Sequence, residues 1–263
     1  MSSLEHSRSP ILKRRLKSFL HSFGIDVRRC HPDGFAGSDR RPVGDMRGFL
    51  EDLRARGFVP RGIVDVGANR GDWTRMALEI YPDADVVMIE PQVEMVAPLE
   101  TLCRENSKVS LVKAGAGSEP GQLLQTIWED LAGSSFLPPQ DAALQNNGRQ
   151  RLTPVVTIDS VLADHRGFHP DFVKLDIQGF ELRALAGATS IFGRTEMLIL
   201  EVSLFEFMVG QPLARDVIAF MGDRGYEIYD IPGFLRRPFD GALGQMDLAF
   251  VRQGGRLRSS DQW

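Results

Sequence analysis

The stretch Gly62-Ile63-Val64-Asp65-Val66-Gly67-Ala68-Asn69-Arg70-Gly71-Asp72-Trp73 decides how this chain is read. A short apolar run enters a turn that holds two glycines, and Trp73, Met76, Ala77 and Ile80 then recur at helical spacing. Tyr81-Pro82-Asp83 closes that helix, and Asp85-Val86-Val87-Met88-Ile89-Glu90 is a second apolar run. The unit is strand, glycine turn, helix, strand. Such a turn lets backbone approach a ligand closely, and the opening of the helix favours negative charge.

Working outward, the alternation continues. Val93, Val96, Leu99, Leu102 and Cys103 mark a helix, and Val109 to Lys113 a third strand. Phe172 to Ile177 and Met197 to Val202 are further strands, each followed by helical spacing: Leu182, Leu185, Ala186 and Ile191, then Val217, Ile218 and Phe220. Tyr226 to Tyr229 and Met246 to Val251 end the pattern with no helix between them, which fits an antiparallel final strand. Repeated strand–helix units predict an α/β, Rossmann-like fold: a mainly parallel seven-stranded sheet with helices on both faces. Gln122 to Trp128 and Val155 to Ile158 suit two strands in a less regular middle. Between them, Gly133 to Pro139 and the polar Gln145 to Gln150 predict a substrate-facing insertion or lid.

Three segments are expected: residues 1–47, 48–253 as the main domain, and a tail over 254–263. In the first, Ile11, Leu12, Leu16, Phe19, Leu20 and Phe23 recur at helical spacing among Lys13, Arg14 and Lys17, and an irregular linker follows. A basic amphipathic helix of that kind can rest weakly on an anionic membrane surface or pack on its own domain.

Hydrophobic residues at 43 % and charged residues at 25 % are ordinary for a globular protein and argue against overall disorder. A formal net charge of −4 argues against a nucleic-acid partner, which calls for basic excess. The 2 cysteines, Cys30 and Cys103, make neither a disulfide framework nor a zinc signature, which fits a reducing, cytoplasmic compartment. No apolar run reaches membrane-spanning length, and the basic N-terminus has no signal-peptide core.

Two ligand classes use the strand–turn–helix: dinucleotides through pyrophosphate, and S-adenosylmethionine through its carboxylate and ribose. The dinucleotide fingerprint needs glycine where Asn69 stands, since a side chain crowds the pyrophosphate. Asp65 can accept a hydrogen bond from a cationic amino group, and Glu90 can hold ribose hydroxyls in either class.

Asp65-Val-Gly-Ala-Asn-Arg-Gly71, Ile89-Glu-Pro91, Val156-Thr-Ile-Asp-Ser160 and Lys174-Leu-Asp-Ile-Gln-Gly-Phe-Glu181 together resemble the FkbM-type methyltransferases. Leu200-Glu-Val202 and Asp247-Leu-Ala-Phe-Val251 fit as well, so the resemblance covers about Ile63 to Val251. It implies a class I methyltransferase fold and S-adenosylmethionine as methyl donor. The implied acceptor is a hydroxyl on a sugar, glycolipid or polyketide-type metabolite. Carried over by position, Asp65, Gly67, Asn69 and Gly71 line the methionine end of the cofactor. Glu90 holds its ribose, Pro91 and Gln92 lie near the adenine edge, and Lys113, Ala114 and Gly115 lie beside the adenine. Gln178 stands where the family often has glutamate, and it carries no charge.

Methyl transfer to an alcohol needs alignment and a base for the proton. Asp176 is the first candidate, with Glu181 and Glu201 behind it. Two of these have competing roles: Asp176 as N-cap of the helix near Gly179, and Glu181 as a surface charge in the first turn. Ser134 and Ser135 are acceptor-side candidates, and Asp159 is expected to cap the helix after it. His165 and His169 fall at the sheet edge away from the cofactor. No ligand spacing calls for a divalent metal, although scattered carboxylates are compatible with one. Two other readings stay open: an NAD-dependent oxidoreductase, and a catalytically silent module that recruits a partner. Against the first stand Asn69 and the lack of a Tyr-x-x-x-Lys pair.

Overall fold

The computed structural model describes residues 41–260 and 262. The expected N-terminal helix over residues 11–23 and Cys30 lie outside the described residues.

The predicted parallel strands form because each is an apolar run buried on both faces. They are β1 (Gly62–Val66), β2 (Asp85–Ile89) and β3 (Val109–Val112). Past three strands of a less regular middle come β7 (Phe172–Leu175) and β8 (Met197–Ser203). Two longer strands close the chain, β9 (Tyr226–Arg236) and β10 (Leu243–Arg252). The seven-stranded order is β3-β2-β1-β7-β8-β10-β9. The first five are mutually parallel, and β10 runs antiparallel to β8 and β9.

Alternate residues of the sheet feed two cores. On one face, Ile63, Met88, Phe172 and Ile199 pack with α1 (Met46–Ala55), α2 (Asp72–Ile80) and α3 (Val93–Glu105). The helix α1 is capped by Asp45, whose carboxylate accepts from the Gly48 N–H at 2.9 Å, a contact that contributes about 1 kcal/mol. On the other face, Val64, Val87, Val173 and Leu198 pack with α5 (Ile158–Asp164), α6 (Glu181–Ala186) and α7 (Ala214–Gly222).

The middle departs from expectation. Its strands leave the main sheet and build a second one, in the order β4 (Gly115–Ala116), β6 (Gln150–Val156), β5 (Gly121–Thr126). β6 begins at Gln150, inside the stretch expected as loop, and a short helix α4 (Ala142–Asn146) precedes it. Ile158 is helical rather than extended: Thr157 caps α5 by accepting from the Ser160 N–H at 3.0 Å. Asp159 is therefore not that cap. Its carboxylate turns to Thr189 and Ser190, accepting from both backbone N–H groups at 2.8 and 2.9 Å.

β1 connects outward to β2 while its other neighbour, β7, continues to β8. The order reverses between β1 and β7, and ligands of open α/β sheets bind at the carboxyl ends of strands beside such a switch.

Candidate functional site

A cleft of about 420 Å³ opens at that place, lined among others by Gly67, Asn69, Trp73, Lys174, Asp176, Gln178 and Glu201. A narrower recess adjoins it through Gly67, Asn69 and Asp176 and runs under Glu90, Pro91 and Gln92.

The glycine turn is shaped by close approach. Gly67 sits at φ 81°, and its N–H donates to the Ile89 carbonyl at 2.8 Å. A Cβ there would collide with the Asp176 carbonyl oxygen and lie 2.9 Å from Ile177 Cγ2. Gly71, at φ 82°, opens α2 and packs against Leu99 and Leu102 of α3. Asn69 adopts φ 49°, a conformation asparagine tolerates better than most residues. Its backbone N–H donates to Glu90 Oε2 at 2.8 Å, and Glu90 Oε1 accepts from the Gln92 N–H at 2.9 Å. Burial pushes the Glu90 carboxyl up, against these two N–H donors. Gln92 is buried as well. Its amide donates to the Leu131 carbonyl at 3.0 Å, while its own Oε1 has no hydrogen-bond partner.

Asp65 does not line the cleft. It is fully buried, with one oxygen accepting from Thr74 Oγ1 at 2.6 Å and the other unpartnered. It faces Lys174 across the β1–β7 register, and burial raises its pKa while Lys174 opposes the rise. The carboxylate ties β1 to α2 beneath the turn and lines neither space.

Lys113, Ala114 and Gly115 also lie away from both spaces. After β3 the chain is drawn into the second sheet: Lys113 pairs outward with Glu100 at 2.5 Å, Ala114 is buried, and Gly115 lies against the Phe136 ring. Ser134 lines the recess, and its hydroxyl accepts from the Trp128 N–H at 3.3 Å. Ser135 is buried and donates to the Gln178 carbonyl at 2.9 Å. That hydroxyl is committed to the protein, so Ser135 holds the wall of the site and does not face an acceptor.

The three candidate acids separate. Asp176 is the one that faces both spaces, with Lys174 Nζ at 3.2 Å from Oδ2 and Gln178 Nε2 at 3.0 Å from Oδ1. It caps no helix, since α6 starts at Glu181 behind Phe180. Glu201 lines the cleft and accepts from Gln178 Nε2 at 2.8 Å and Gln245 Nε2 at 3.0 Å. Burial, with the charges of Asp176, Glu181 and Asp247, pushes its carboxyl well up. Glu181 is no surface charge. It is 2 % exposed and accepts from the Ile177 N–H at 2.9 Å and the Gly179 N–H at 3.3 Å, clamping the turn after β7.

Burial raises the Glu181 carboxyl to about 7, above its ordinary 4.5. Between those values the folded protein keeps a proton that the unfolded chain has released. Stability from this group is therefore full below 4.5 and is lost as pH rises towards about 7. Glu181→Gln keeps an acceptor and cannot titrate. It is expected to flatten that fall, checked by urea midpoints at about pH 5 and about pH 8.

Lys174, absent from the candidates drawn from sequence, is 6 % exposed and lies 5.7 Å from the Trp73 ring centroid. Burial pulls its pKa down, but Asp176, Asp65 and Asp247 outweigh it and hold the ammonium above its ordinary value. Burial likewise lifts Asp247 to about 6. The visible signal was a lysine inside the apolar strand Phe172-Val173-Lys174-Leu175, since a buried charge requires partners. The cleft wall carries Asp72, Asp130, Asp176 and Glu201 against Arg70 and Lys174. Such a lining suits a cationic ligand better than a pyrophosphate. Among the described residues, no group of three or more His, Cys, Asp or Glu is arranged to hold a metal ion. No described helix is long and apolar enough to cross a membrane.

Residues 65–228 match the family model of the methyltransferase FkbM domain. A solved methyltransferase FkbM from Methylobacillus flagellatus is 21 % identical with a TM-score of 0.45, over 72 % of this chain and 43 % of that one. The present chain thus spans less than half of that protein. A 1,6-didemethyltoxoflavin-N1-methyltransferase from Burkholderia thailandensis is 14 % identical with a TM-score of 0.43, over 96 % and 93 % of the two chains. A precorrin-6y C5,15-methyltransferase from Geobacter metallireducens is 11 % identical with a TM-score of 0.43, over 82 % and 96 %. No curated protein matches the chain.

Proposed function

The chain belongs to the methyltransferase FkbM domain family and has a class I methyltransferase fold; from that premise we propose that it transfers a methyl group from S-adenosylmethionine to a hydroxyl of a sugar, glycolipid or polyketide-type metabolite. The observation that carries the proposal is an acid-rich cleft beside the glycine turn, with Asp176 facing both the cleft and the recess under Glu90.

The residues fit the donor. Gln92 Oε1 is a buried acceptor in want of an N–H, which an adenine amino group supplies. Glu90 has two lone pairs beyond its backbone donors for ribose hydroxyls. The closeness of Gly67 to Asp176 leaves backbone, not side chain, along the methionine end. The bound donor supplies an electrophilic methyl on a sulfonium, whose carbon–sulfur bond breaks with its electron pair going to sulfur.

The protein's own work is alignment and proton removal. Asp176, held from both sides by Lys174 and Gln178, takes the hydroxyl proton as the acceptor oxygen forms its bond to the methyl carbon. Glu201, whose carboxyl burial and the neighbouring acids push well up, stands beside it on the cleft wall with one oxygen taken by the Gln178 and Gln245 amides. Tritiated-methyl transfer to a panel of sugars, glycolipids and polyketides tests the acceptor class; labelling of amines alone would contradict it. Glu90→Ala strands the Asn69 and Gln92 N–H donors and is expected to weaken S-adenosylhomocysteine binding at least tenfold, about 1.4 kcal/mol, by calorimetry.

A further inference from the structure

The recess under Glu90 holds about 40 Å³, room for roughly one water and far less than the fused rings of adenine need. On the donor reading given above, on which this inference rests, adenine enters only after one wall moves. Most of the walls are fixed. Glu90, Pro91 and Gln92 directly follow β2, and Gln125 lies within β5. Ile177 and Gln178 belong to the turn clamped by Glu181, and the Phe136 ring lies 5.4 Å from that of Phe180. Ala132 and Ser134 remain, both on the loop that leaves β5.

That loop, residues 127–134, has a closed base: Thr126 and Ser135 exchange both backbone hydrogen bonds, at 2.9 and 3.1 Å. Past Ile127, whose N–H donates to the Arg149 carbonyl at 2.7 Å, its bonds turn inward. The Leu131 N–H donates to the Trp128 carbonyl at 3.1 Å, the Gly133 N–H to Asp130 Oδ1 at 3.2 Å, and the Trp128 N–H to Ser134 Oγ at 3.3 Å. A loop with joined ends that is bonded to itself moves as one body about its base. Among the described residues, two polar ties hold 128–134 to the rest. One is the exposed Glu129–Arg149 ion pair, which contributes little. The other is internal: Gln92, itself buried, donates from Nε2 to the Leu131 carbonyl at 3.0 Å. Leu131 sits at φ 60°, a left-handed conformation unfavourable for leucine, so the loop is held in this position against local strain. Gln92 Oε1 is the buried acceptor without a partner. One amide therefore carries the loop on its nitrogen and offers its oxygen to the adenine.

We propose that residues 127–134 are a lid over the adenine recess, latched by Gln92 on the Leu131 carbonyl, which opens to admit the donor and closes on it. Asp130, Ala132 and Gly133 also line the cleft, so closure on the donor completes the wall on the acceptor's side. Two measurements on the full chain test this. In stopped-flow fluorescence with S-adenosylhomocysteine, the wild-type binding rate is expected to level off as concentration rises, with lid movement as its ceiling. The second needs no ligand. Ser134→Cys places a thiol on the buried side of the lid, and mass spectrometry reads its labelling by N-ethylmaleimide apart from Cys30 and Cys103. Adding Gln92→Leu, which removes the latch, is expected to speed that labelling at least about fivefold. Adding Glu129→Gln, which removes only the outer ion pair, is expected to change it less than about twofold. Saturable binding whose rate stays proportional to concentration would overturn the proposal, as would labelling equally fast with and without the latch. No binding of S-adenosylhomocysteine at all would remove the donor reading, and the lid with it.

Discussion

Gly67→Ala is expected to lower stability by about 2–4 kcal/mol and to abolish measurable S-adenosylhomocysteine binding. Two costs add. An alanine at φ 81° sits in the left-handed region, and its Cβ meets the Asp176 carbonyl and Ile177, which belong to a turn clamped by Glu181. Neither neighbour is the free end of a flexible side chain, so the backbone must move. Gly57 gives the control: it has φ 83°, but a Cβ there would meet nothing within 4 Å. Gly57→Ala should therefore lose only the conformational part, about 1 kcal/mol. Chemical denaturation of the pair separates collision from strain. Equal losses in the two variants would mean that β1 and β7 do not approach as closely as described.

Asp176→Asn is expected to reduce methyl transfer about a hundredfold or more while leaving S-adenosylhomocysteine affinity within about threefold. The substitution keeps size and removes the proton-accepting charge. One of its two polar atoms becomes a donor facing either Lys174 or Gln178, so the side chain also loses its fixed orientation. Single-turnover rates with saturating donor read the effect on chemistry apart from binding. A rate within a few-fold of wild type would move the base elsewhere, with Glu201 the next carboxyl on the cleft wall.

The sheet was legible because its parallel strands are buried on both faces and so read as continuous apolar runs, as in Gly62–Val66. The same physics hid the second sheet. β6 mixes Gln150, Arg151 and Pro154 with an exposed Leu152, and β4 is too short to show any period. At the site, the turn glycines and Glu90 were legible because their positions are fixed by the strand ends. Asp65, Lys113 and Glu181 were not. A sequence displays a charge but not where its side chain points, and these three turn to Thr74, Glu100 and the Ile177 N–H. Lys174 is the opposite case, a charge whose apolar neighbours already required the buried partners it has.

Calorimetric titration of the purified chain with S-adenosylhomocysteine, with NAD in parallel, tests the donor site most directly. Saturable micromolar binding of S-adenosylhomocysteine alone is the predicted result, weakened at least tenfold in Glu90→Ala. Binding of NAD instead, or no binding of S-adenosylhomocysteine to the folded wild type, would contradict it.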